Sequence, residues 1–462
     1  MPALTTREAA RARLKSIFES ALDRLIPPDP GDGLQGNLFI DFEDRVAEHF
    51  QPLLAVAVEE RAKLDPFAQV DAARAGRCPQ CGSEKVYWRQ EQRQEEVLCA
   101  HGPVVLTLQY CRCRACELTF AIQARDWQLP SEAQLTPKAL RRVAREATMQ
   151  SFDKAAEAIN EDWQLTLDGK QLQRWAGRVG LRLAQERDRE QAVYESGRLV
   201  KEHHRQPVLL VVEVDGGRVQ TCEIDPQTGS RWREDKVAAI TTYVPGSETE
   251  RPRALVTTHV ATMQPTEPFG RLVRVEAEKR GLRDAVQTIL IGDGGNWLDP
   301  LFEREFPNCP RLIDWYHAVE HLYDCARAVY GPETPQTGAW AEQLKTLLWE
   351  GRCEQVCAAL RQKLQALAAQ KESERRTLEN NLDYFTRHQP HMNYPYYRRK
   401  GWPIGSGGVE GAVKQFNKRV KGTEQFWQEN GAEAILALRA LRLSEDGRWQ
   451  RYWDRRPAYA QN

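Results

Sequence analysis

The sequence predicts a mixed α/β core, interrupted late by a helical insertion and preceded by a zinc ribbon and a helix-turn-helix segment. Three observations lead there. From Pro207 onward β-rich runs give way to strand, helix and strand, and then to a long Leu/Ala/Glu/Gln/Arg-rich helical stretch. Ahead of them lie two Cys-x2-Cys pairs, Cys78/Cys81 and Cys113/Cys116. Between the two regions, short helical patterns end in a helix with a polar, basic outer face.

At about 150 residues per domain, 462 residues correspond to roughly three domains. Lys+Arg and Asp+Glu number 65 each, so the formal net charge is zero, which excludes a uniformly polycationic nucleic-acid packer and an acidic tail protein. Local basic surfaces stay open, because a phosphate backbone responds to where charge sits. With 41% hydrophobic and 28% charged residues the composition is globular. The N-terminus has no apolar core followed by a cleavage site, and the longest apolar run, Val208 to Val214, is broken by Glu213 and far short of the ~20 residues a span needs. A cytoplasmic, nucleoid-associated protein is expected.

Residues 1–74 read as a helical region, structural or oligomerising: 5–26 and 40–63 carry helical periodicity, with Leu14, Ile17, Phe18, Leu22 and Leu25 on one stripe, and PPDPGDGLQG breaks them apart. Residues 75–125 read as the ribbon. Six of eleven cysteines fall between 78 and 116, and the two Cys-x2-Cys knuckles can present four thiolates to one tetrahedral, structural Zn²⁺. Val104, Leu106, Leu108 and Tyr110 alternate as strand residues do. Cys99, His101 and Cys111 are left over, as buried small residues, stem positions or spare ligands.

After the linker QLPSEAQLTP, residues 132–190 predict helices over 138–148 and 152–160 and a further one from Asp168, with Thr136 as an N-cap before Pro137. Lys170, Gln171, Gln173, Arg174 and Arg178 mark the outer face of the last helix. Two readings fit it: a recognition helix for a major groove, or an ordinary helical hairpin with a solvated face.

Residues 205–317 begin the core. VLLVVEVDGGRVQTCEID predicts two β-runs separated by a glycine turn. KVAAITTYV and RALVTTHVATM predict further strands, 267–281 a helix and TILIGDGG another strand. Residues 318–397 are the helical insertion and 398–455 the last part of the core. Asp215 and Asp293 end apolar strands, and Glu410 lies in the first turn of a helix after IGSGG. Three carboxylates on three rigid elements can converge on a pair of Mg²⁺ ions roughly 4 Å apart. Separately, each also reads as a turn aspartate or a helix-dipole residue.

Around Glu410 the charge is lopsided. Arg398, Arg399, Lys400, Lys414, Lys418, Arg419 and Lys421 face Glu410 as the single acid between 398 and 421, with Tyr394, Tyr396, Tyr397 and Trp402 interleaved. Basic groups neutralise phosphates and aromatic rings stack on unpaired bases. Lys414, Lys418 and Lys421 share one helix face. A solvated basic face is the plain alternative.

The wording of these segments, VEVDGGRVQT, RWREDKVAAI, LIGDGGNWL, LIDWYHAVEH and PIGSGGVEGAVKQFNKRVKG ending in EQFW, resembles the ordered core motifs of DDE-type bacterial insertion-sequence transposases, in the Mutator-like group and its Kra-type branch. The resemblance spans roughly residues 75 to 455. It implies an RNase H-like core in which Asp215, Asp293 and Glu410 form a catalytic triad holding two Mg²⁺ ions, and in which the helical insertion precedes the Glu. It further implies terminal inverted repeats and target DNA as partners, a homodimer or higher oligomer, and two-metal strand cleavage followed by joining of the 3′-OH end to target. The group's C/D-x2-H signature falls on Asp314 and His317, which places His317 beside the metals; a core histidine bonded to Asp314 is the other reading. Trp427 would stack on a displaced base.

Two other functions remain open. A transposase-derived regulator would bind DNA without cutting it. His317-Ala-Val-Glu320-His321 is also H-x-x-E-H, the arrangement of an inverted zinc peptidase, with Glu342 or Glu350 as third ligand. The ribbon, the helix-turn-helix pattern and the basic setting of Glu410 have no role in a peptidase.

Overall fold

The structure, a computed structural model, describes residues 7–28, 39–70, 75–130, 134–163, 165–200, 202, 206–226, 228–247, 249–367, 371–422 and 425–454. Most of the PPDPGDGLQG loop and residues 131–133 of the expected linker lie outside them. The chain divides into two units, residues 1–176 with 449–462, and residues 177–448, so the division falls inside the segment 132–190. Among the described residues no helix is long and apolar enough to cross a membrane.

In the first unit, α1 (Arg7–Leu25) packs on α2 (Phe39–Lys63), and Arg13 pairs with Glu59 and Glu60. Only Ala10 and Ala21 of α1 are buried; Phe18 and Leu22 of the expected apolar stripe remain exposed. A three-stranded antiparallel sheet follows, β1 (Val86–Cys99), β2 (Gly102–Cys113) and β3 (Thr119–Ala121), in that order. Val104, Leu106 and Leu108 face inward with Val97, Cys99 and Ala55 of α2, as their alternation requires. Helix α3 (Ile122–Asp126) closes the sheet, and Cys111 packs with Phe120 and Ile122. Cys99 and Cys111 are thus core residues.

Helices α4 (Pro137–Met149) and α5 (Phe152–Trp163) pack together, and α6 (Gly169–Glu195) follows. Thr136 caps α4 by accepting from Ala139 N, as expected. Asp168 and Gln171 form a reciprocal cap on α6: Gln171 N donates to Asp168 Oδ1 at 2.7 Å, and Asp168 N to Gln171 Oε1 at 2.9 Å. The Asn160 side chain fixes the intervening turn through both backbone groups of Leu167.

In the second unit, β4 (Leu209–Gln220), β5 (Trp232–Val244), β6 (Arg253–Thr262), β7 (Gln287–Gly292) and β8 (Arg311–Ile313) form a sheet of order β6-β5-β4-β7-β8. The β6-β5-β4 pairs are antiparallel; β7 pairs parallel with β4, and β8 parallel with β7. Here the expected glycine turn is corrected. β4 runs straight through Asp215-Gly216-Gly217, with Gly217 opposite Asp235, and the chain reverses only beyond Gln220. Both glycines lie in paired strand, where a missing side chain signals close approach of another group.

Side-chain alternation along β4 sends Leu210, Val212 and Val214 to one face, against Phe269 and Val273 of α7 (Thr266–Lys279) and Leu301 and Phe302 of α8 (Leu298–Glu305). Leu209 and Val211 point to the other face, under a helical layer of α9 (Trp315–Tyr330), α10 (Pro335–Trp349), α11 (Cys353–Ala366), α12 (Glu372–His388) and α13 (Tyr394–Arg399). Glu213 and Asp215 continue that second row. α14 (Gly407–Val420) crosses β4 and β5, α15 (Glu429–Leu443) packs on β6, and α16 (Arg448–Asp454) ends the described chain.

A buried ion network ties α7 to the chain after α15: Arg448 grips Glu276 through two bonds, of 2.5 and 3.2 Å, and also bonds Asp446. Burial resists the charge on Glu276, but Arg448 and Lys279 hold its carboxyl well below the usual range. Burial, reinforced by Arg448, pushes His259 down to about 4. Both groups bind protons less readily folded than unfolded, so both contributions are present at neutral pH. His259's is lost as pH falls from about 6.5 towards 4, and Glu276's below the ordinary carboxylate range. Urea unfolding at pH 7 and pH 4.5 is expected to differ by about 2 kcal/mol through His259 alone, and His259→Leu should flatten that slope.

Candidate functional site

Asp215 sits where the second row of β4 meets solvent, Asp293 just beyond the end of β7, and Glu410 in the first turn of α14. Each aspartate accepts from a backbone N–H just after it: Gly216 N donates to Asp215 Oδ1 at 2.7 Å, and Gly295 N to Asp293 Oδ1 at 2.8 Å. The three carboxylates come close enough to interact. Burial is the largest force raising Asp215 to about 6, Gly216 N opposes it, Asp293 and Glu410 push it further up, and His317 pulls it down. Their oxygens are less tightly gathered than the cysteine sulfurs described below, because no three carboxylates among the described residues lie within 4.8 Å of one another. Lys414 Nζ lies 3.5 Å from Glu410.

Two buried carboxylates fix the start of α14. Asp314 caps α9, with Oδ1 accepting from Tyr316 N at 2.5 Å and His317 N at 3.0 Å, while Oδ2 accepts from both the backbone N–H and the hydroxyl of Ser406. Asp314 therefore welds the IGSGG segment to the end of β8, helped by Trp315 N donating to Ile404 O at 2.9 Å. Glu213 is fully buried against Gly408, whose missing side chain makes room: a Cβ there would lie 2.3 Å from Glu213 Oε2. Burial, with Asp314 and Glu410 adding to it against the Val409 amide, raises Glu213 to about 8. Replacing Asp314 by Ala strands four donors. It should cost about 2–4 kcal/mol in urea unfolding, whereas Ser406→Ala should cost about 1 kcal/mol.

The helical layer holds the Asp293 turn. Tyr384 Oη donates to Asp293 O at 2.9 Å, and Arg387 Nη2 donates to Gly294 O at 3.2 Å while Nη1 reaches Asn296. Gly294 has φ +89° and lies under Tyr384 and His388, so a side chain there is excluded twice over. Tyr384, Arg387, Ser406, Asp235 and Glu213 are functional candidates that sequence reasoning did not select. Only Glu213 carried a signal, a charge inside an apolar run.

The HAVEH residues do not converge. His317 Nδ1 lies 3.4 Å from Glu320, which is mostly exposed, and its ring influences Asp215. His321 Nδ1 meets Asn381 Oδ1 at 2.6 Å and its ring stacks on Tyr384. Glu342 bonds Tyr323 and Lys345, and Glu350 bonds Arg352. Backbone N–H, not the ring, joins His317 to Asp314.

The basic strip divides. Arg399, Lys400, Lys414, Lys418 and Lys421 are exposed. Arg419 is buried, with its guanidinium over the Trp427 ring, and Arg398 lies over Trp349 while donating to its carbonyl. Trp427 is 5% exposed; its indole N–H donates to Val420 O and its backbone bridges to Thr221, so the expected stacking on a displaced base is corrected to a packing role. Tyr394, Tyr397 and Trp402 are likewise core, and only Tyr396 of the interleaved aromatics is exposed. On α6, Lys170, Gln173, Arg174 and Arg178 are all exposed while Gln171 completes the cap. The aromatic expectation failed because hydropathy does not distinguish a ring that stacks outward from one that fills a helical layer.

In the other unit, Cys78, Cys81, Cys113 and Cys116 place their sulfurs within 4.8 Å of one another, with Cys78 and Cys116 3.5 Å apart and Cys81 and Cys113 3.6 Å apart. Among the described residues no other group of three or more His, Cys, Asp or Glu side chains is gathered so closely. Desolvation opposes ionisation of Cys113, but the amides of Cys116 and Ala115, together with the neighbouring thiols of Cys81 and Cys116, bring the thiol down to about 6. Four thiols in one closed cluster are the donor set of a structural zinc site.

No family model and no curated protein matches the chain. Among solved structures, the Drosophila P element transposase strand transfer complex aligns over 67% of this chain and 79% of its own, at 9% identity and a TM-score of 0.23. A likeness that shallow leaves the functional reading to rest on the site itself.

Proposed function

We propose that the chain is a DNA transposase of the DDE type, which binds transposon ends, cleaves DNA strands and joins the 3′-OH ends to target DNA. The observation that carries this reading is the meeting of Asp215, Asp293 and Glu410, delivered by a central strand, the next parallel strand and a helix start, at one charged place on the sheet. The mixed sheet is read as an RNase H-like core and α9 to α13 as its insertion. The fit to divalent cations is chemical: hard oxygen donors are stabilised when a cation lies among them, and Asp215 is raised first by burial and then by its acidic neighbours. Asp215, Asp293 and Glu410 would hold the two Mg²⁺ ions of such a site. Mg²⁺ bound there would supply charge to the scissile phosphate and lower the pKa of an attacking hydroxyl.

The chain's own residues supply position. Asp314 and Glu213 lock the start of α14, which carries Glu410, while Tyr384 and Arg387 fix the Asp293 turn. Lys414, Lys418, Lys421, Arg399 and Lys400, with Lys170, Gln173, Arg174 and Arg178 on α6, are the groups for phosphates and grooves. Structural Zn²⁺ on the four cysteines and self-association as a homodimer or higher oligomer belong to the same proposal.

The test uses a duplex carrying the DNA that flanks the gene. Short inverted repeats bounded by a direct duplication, nicked at their ends in Mg²⁺, are expected. An intact duplex together with casein cleavage lost in His321→Ala would replace this reading with the peptidase.

A further inference from the structure

Asp235 is a carboxylate that the mechanism above leaves unused. It lies on β5 opposite Gly217, two pairs along from Asp215, which faces Val237. Residues directly opposite in an antiparallel ladder project to the same face, and so do residues two apart along one strand. Asp215, Gly217, Val237 and Asp235 therefore share the face that carries the site. Diagonal neighbours of this kind lie about 7–8 Å apart at the backbone, within reach of two carboxylates bridged by one ion.

Three features set Asp235 apart from an incidental buried acid. It is fully buried, and neither oxygen has a hydrogen-bond partner from another residue among those described. Its carboxylate lies flat over Gly217, where an added Cβ would stand 2.6 Å from Oδ1 and 2.9 Å from Oδ2. The second glycine of Asp215-Gly216-Gly217 is thus the space that Asp235 occupies, a use for the pair that its position in mid-strand otherwise lacks. Finally, the neighbouring cation attracts it through space but is paired with another acid. Lys236 projects to the opposite face, where its ammonium pairs with Glu234 at 2.9 Å and approaches Trp297. Burying a carboxylate without a donor from another residue is costly; burial is the largest force against its charge, its own N–H and Lys236 oppose that only in part, and Asp215 adds a second negative charge beside it.

We propose that Asp235 is a fourth carboxylate of the site, an oxygen ligand that shares a divalent cation with Asp215 from the β5 side. The inference rests on the reading of Asp215, Asp293 and Glu410 as a cation site and adds to it a donor from a different strand. Gly217 is the positioning residue that leaves room for this donor.

The experiment measures Mn²⁺ binding to the full-length protein, by calorimetry and by the loss of the free-ion electron paramagnetic resonance signal, with DNA cleavage followed separately. Asp235→Asn keeps size and shape, and is expected to weaken Mn²⁺ binding at least 10-fold while the circular dichroism spectrum is unchanged. Gly217→Ala should weaken it similarly by displacing the carboxylate, and Asp215→Asn should weaken it more. If Asp215→Asn weakens binding but Asp235→Asn binds as the wild type does, while melting at a higher temperature, Asp235 is only a buried acid and the inference is overturned with the site reading intact. If Asp235→Asn weakens Mn²⁺ binding while the wild type cuts no DNA, the inference stands and the DNA-cutting function falls. A wild type that binds no Mn²⁺ overturns both.

Discussion

Asp215→Asn, Asp293→Asn and Glu410→Gln are each expected to bind transposon-end DNA as the wild type does and to lose strand cleavage by at least about 1,000-fold, or roughly 4 kcal/mol of transition-state stabilisation. Each change replaces an anionic oxygen by an amide nitrogen at constant shape, so the cost falls on cation binding rather than packing. A second consequence separates this site from a structural cluster of acids. In the metal-free protein Asp215 is raised to about 6 by burial and by its two acidic neighbours. Removing any one charge relieves that strain. The sign follows from linkage: a raised carboxyl holds its proton better folded than unfolded, so its charged form weakens folding as pH rises through about 4 to 6. At pH 8 without metal the three variants should therefore melt at or above the wild-type temperature, and Mn²⁺ should raise the wild-type melting temperature more than theirs. Full cutting by all three variants in Mg²⁺ would end the assignment, whatever their stability.

Much of this arrangement is legible along the chain, because strands with alternating or continuous apolar runs announce themselves locally. The ribbon's Val104, Leu106 and Leu108, the caps at Thr136 and Asp168, and the apolar runs that lead into Asp215 and Asp293 all follow from patterns within a few residues. Contacts across long sequence separations are another matter. Asp314 and Ser406 are 92 residues apart and meet through two hydrogen bonds. Asp293 and Tyr384 are 91 apart. Nothing local to Tyr384 marks it out from the other aromatics of the helical layer. The Gly216-Gly217 pair shows the limit most directly. Glycine pairs favour turns in a local reading, yet here the pair stays in a strand because Asp235, from the neighbouring strand, occupies the space a side chain would take. The mistake at Trp427 has the same origin: its partners Val420, Gln220 and Arg419 enclose it only after the chain folds back.

The unit that carries the four cysteines offers the second large effect. The apolar clusters of the ribbon are small, with Val97, Cys99, Val104, Leu106, Leu108 and Ala121 closing on Ala55 in one, and Ala75, Cys111, Phe120 and Ile122 in the other. At roughly 1.5–3 kcal/mol for each large side chain buried, such clusters struggle to offset about 1–2 kcal/mol of backbone entropy for every ordered residue. Zinc held by four thiolates contributes on the order of 10–16 kcal/mol in small zinc domains, enough to decide whether the unit folds. Purified protein should therefore contain one zinc per chain, and Co²⁺ exchanged into it should give the absorption of a tetrahedral tetrathiolate. Chelation, or Cys113→Ser, should open residues 77–122 to proteolysis and remove their strand signal from circular dichroism. Mn²⁺ binding should persist in both cases, because Asp215, Asp293 and Glu410 belong to the other unit. Cys99→Ser and Cys111→Ser should leave the zinc content at one, since those sulfurs pack in the apolar clusters rather than in the tetrad. Protein that purifies without zinc and keeps residues 77–122 protected would show that the four sulfurs are gathered by packing alone.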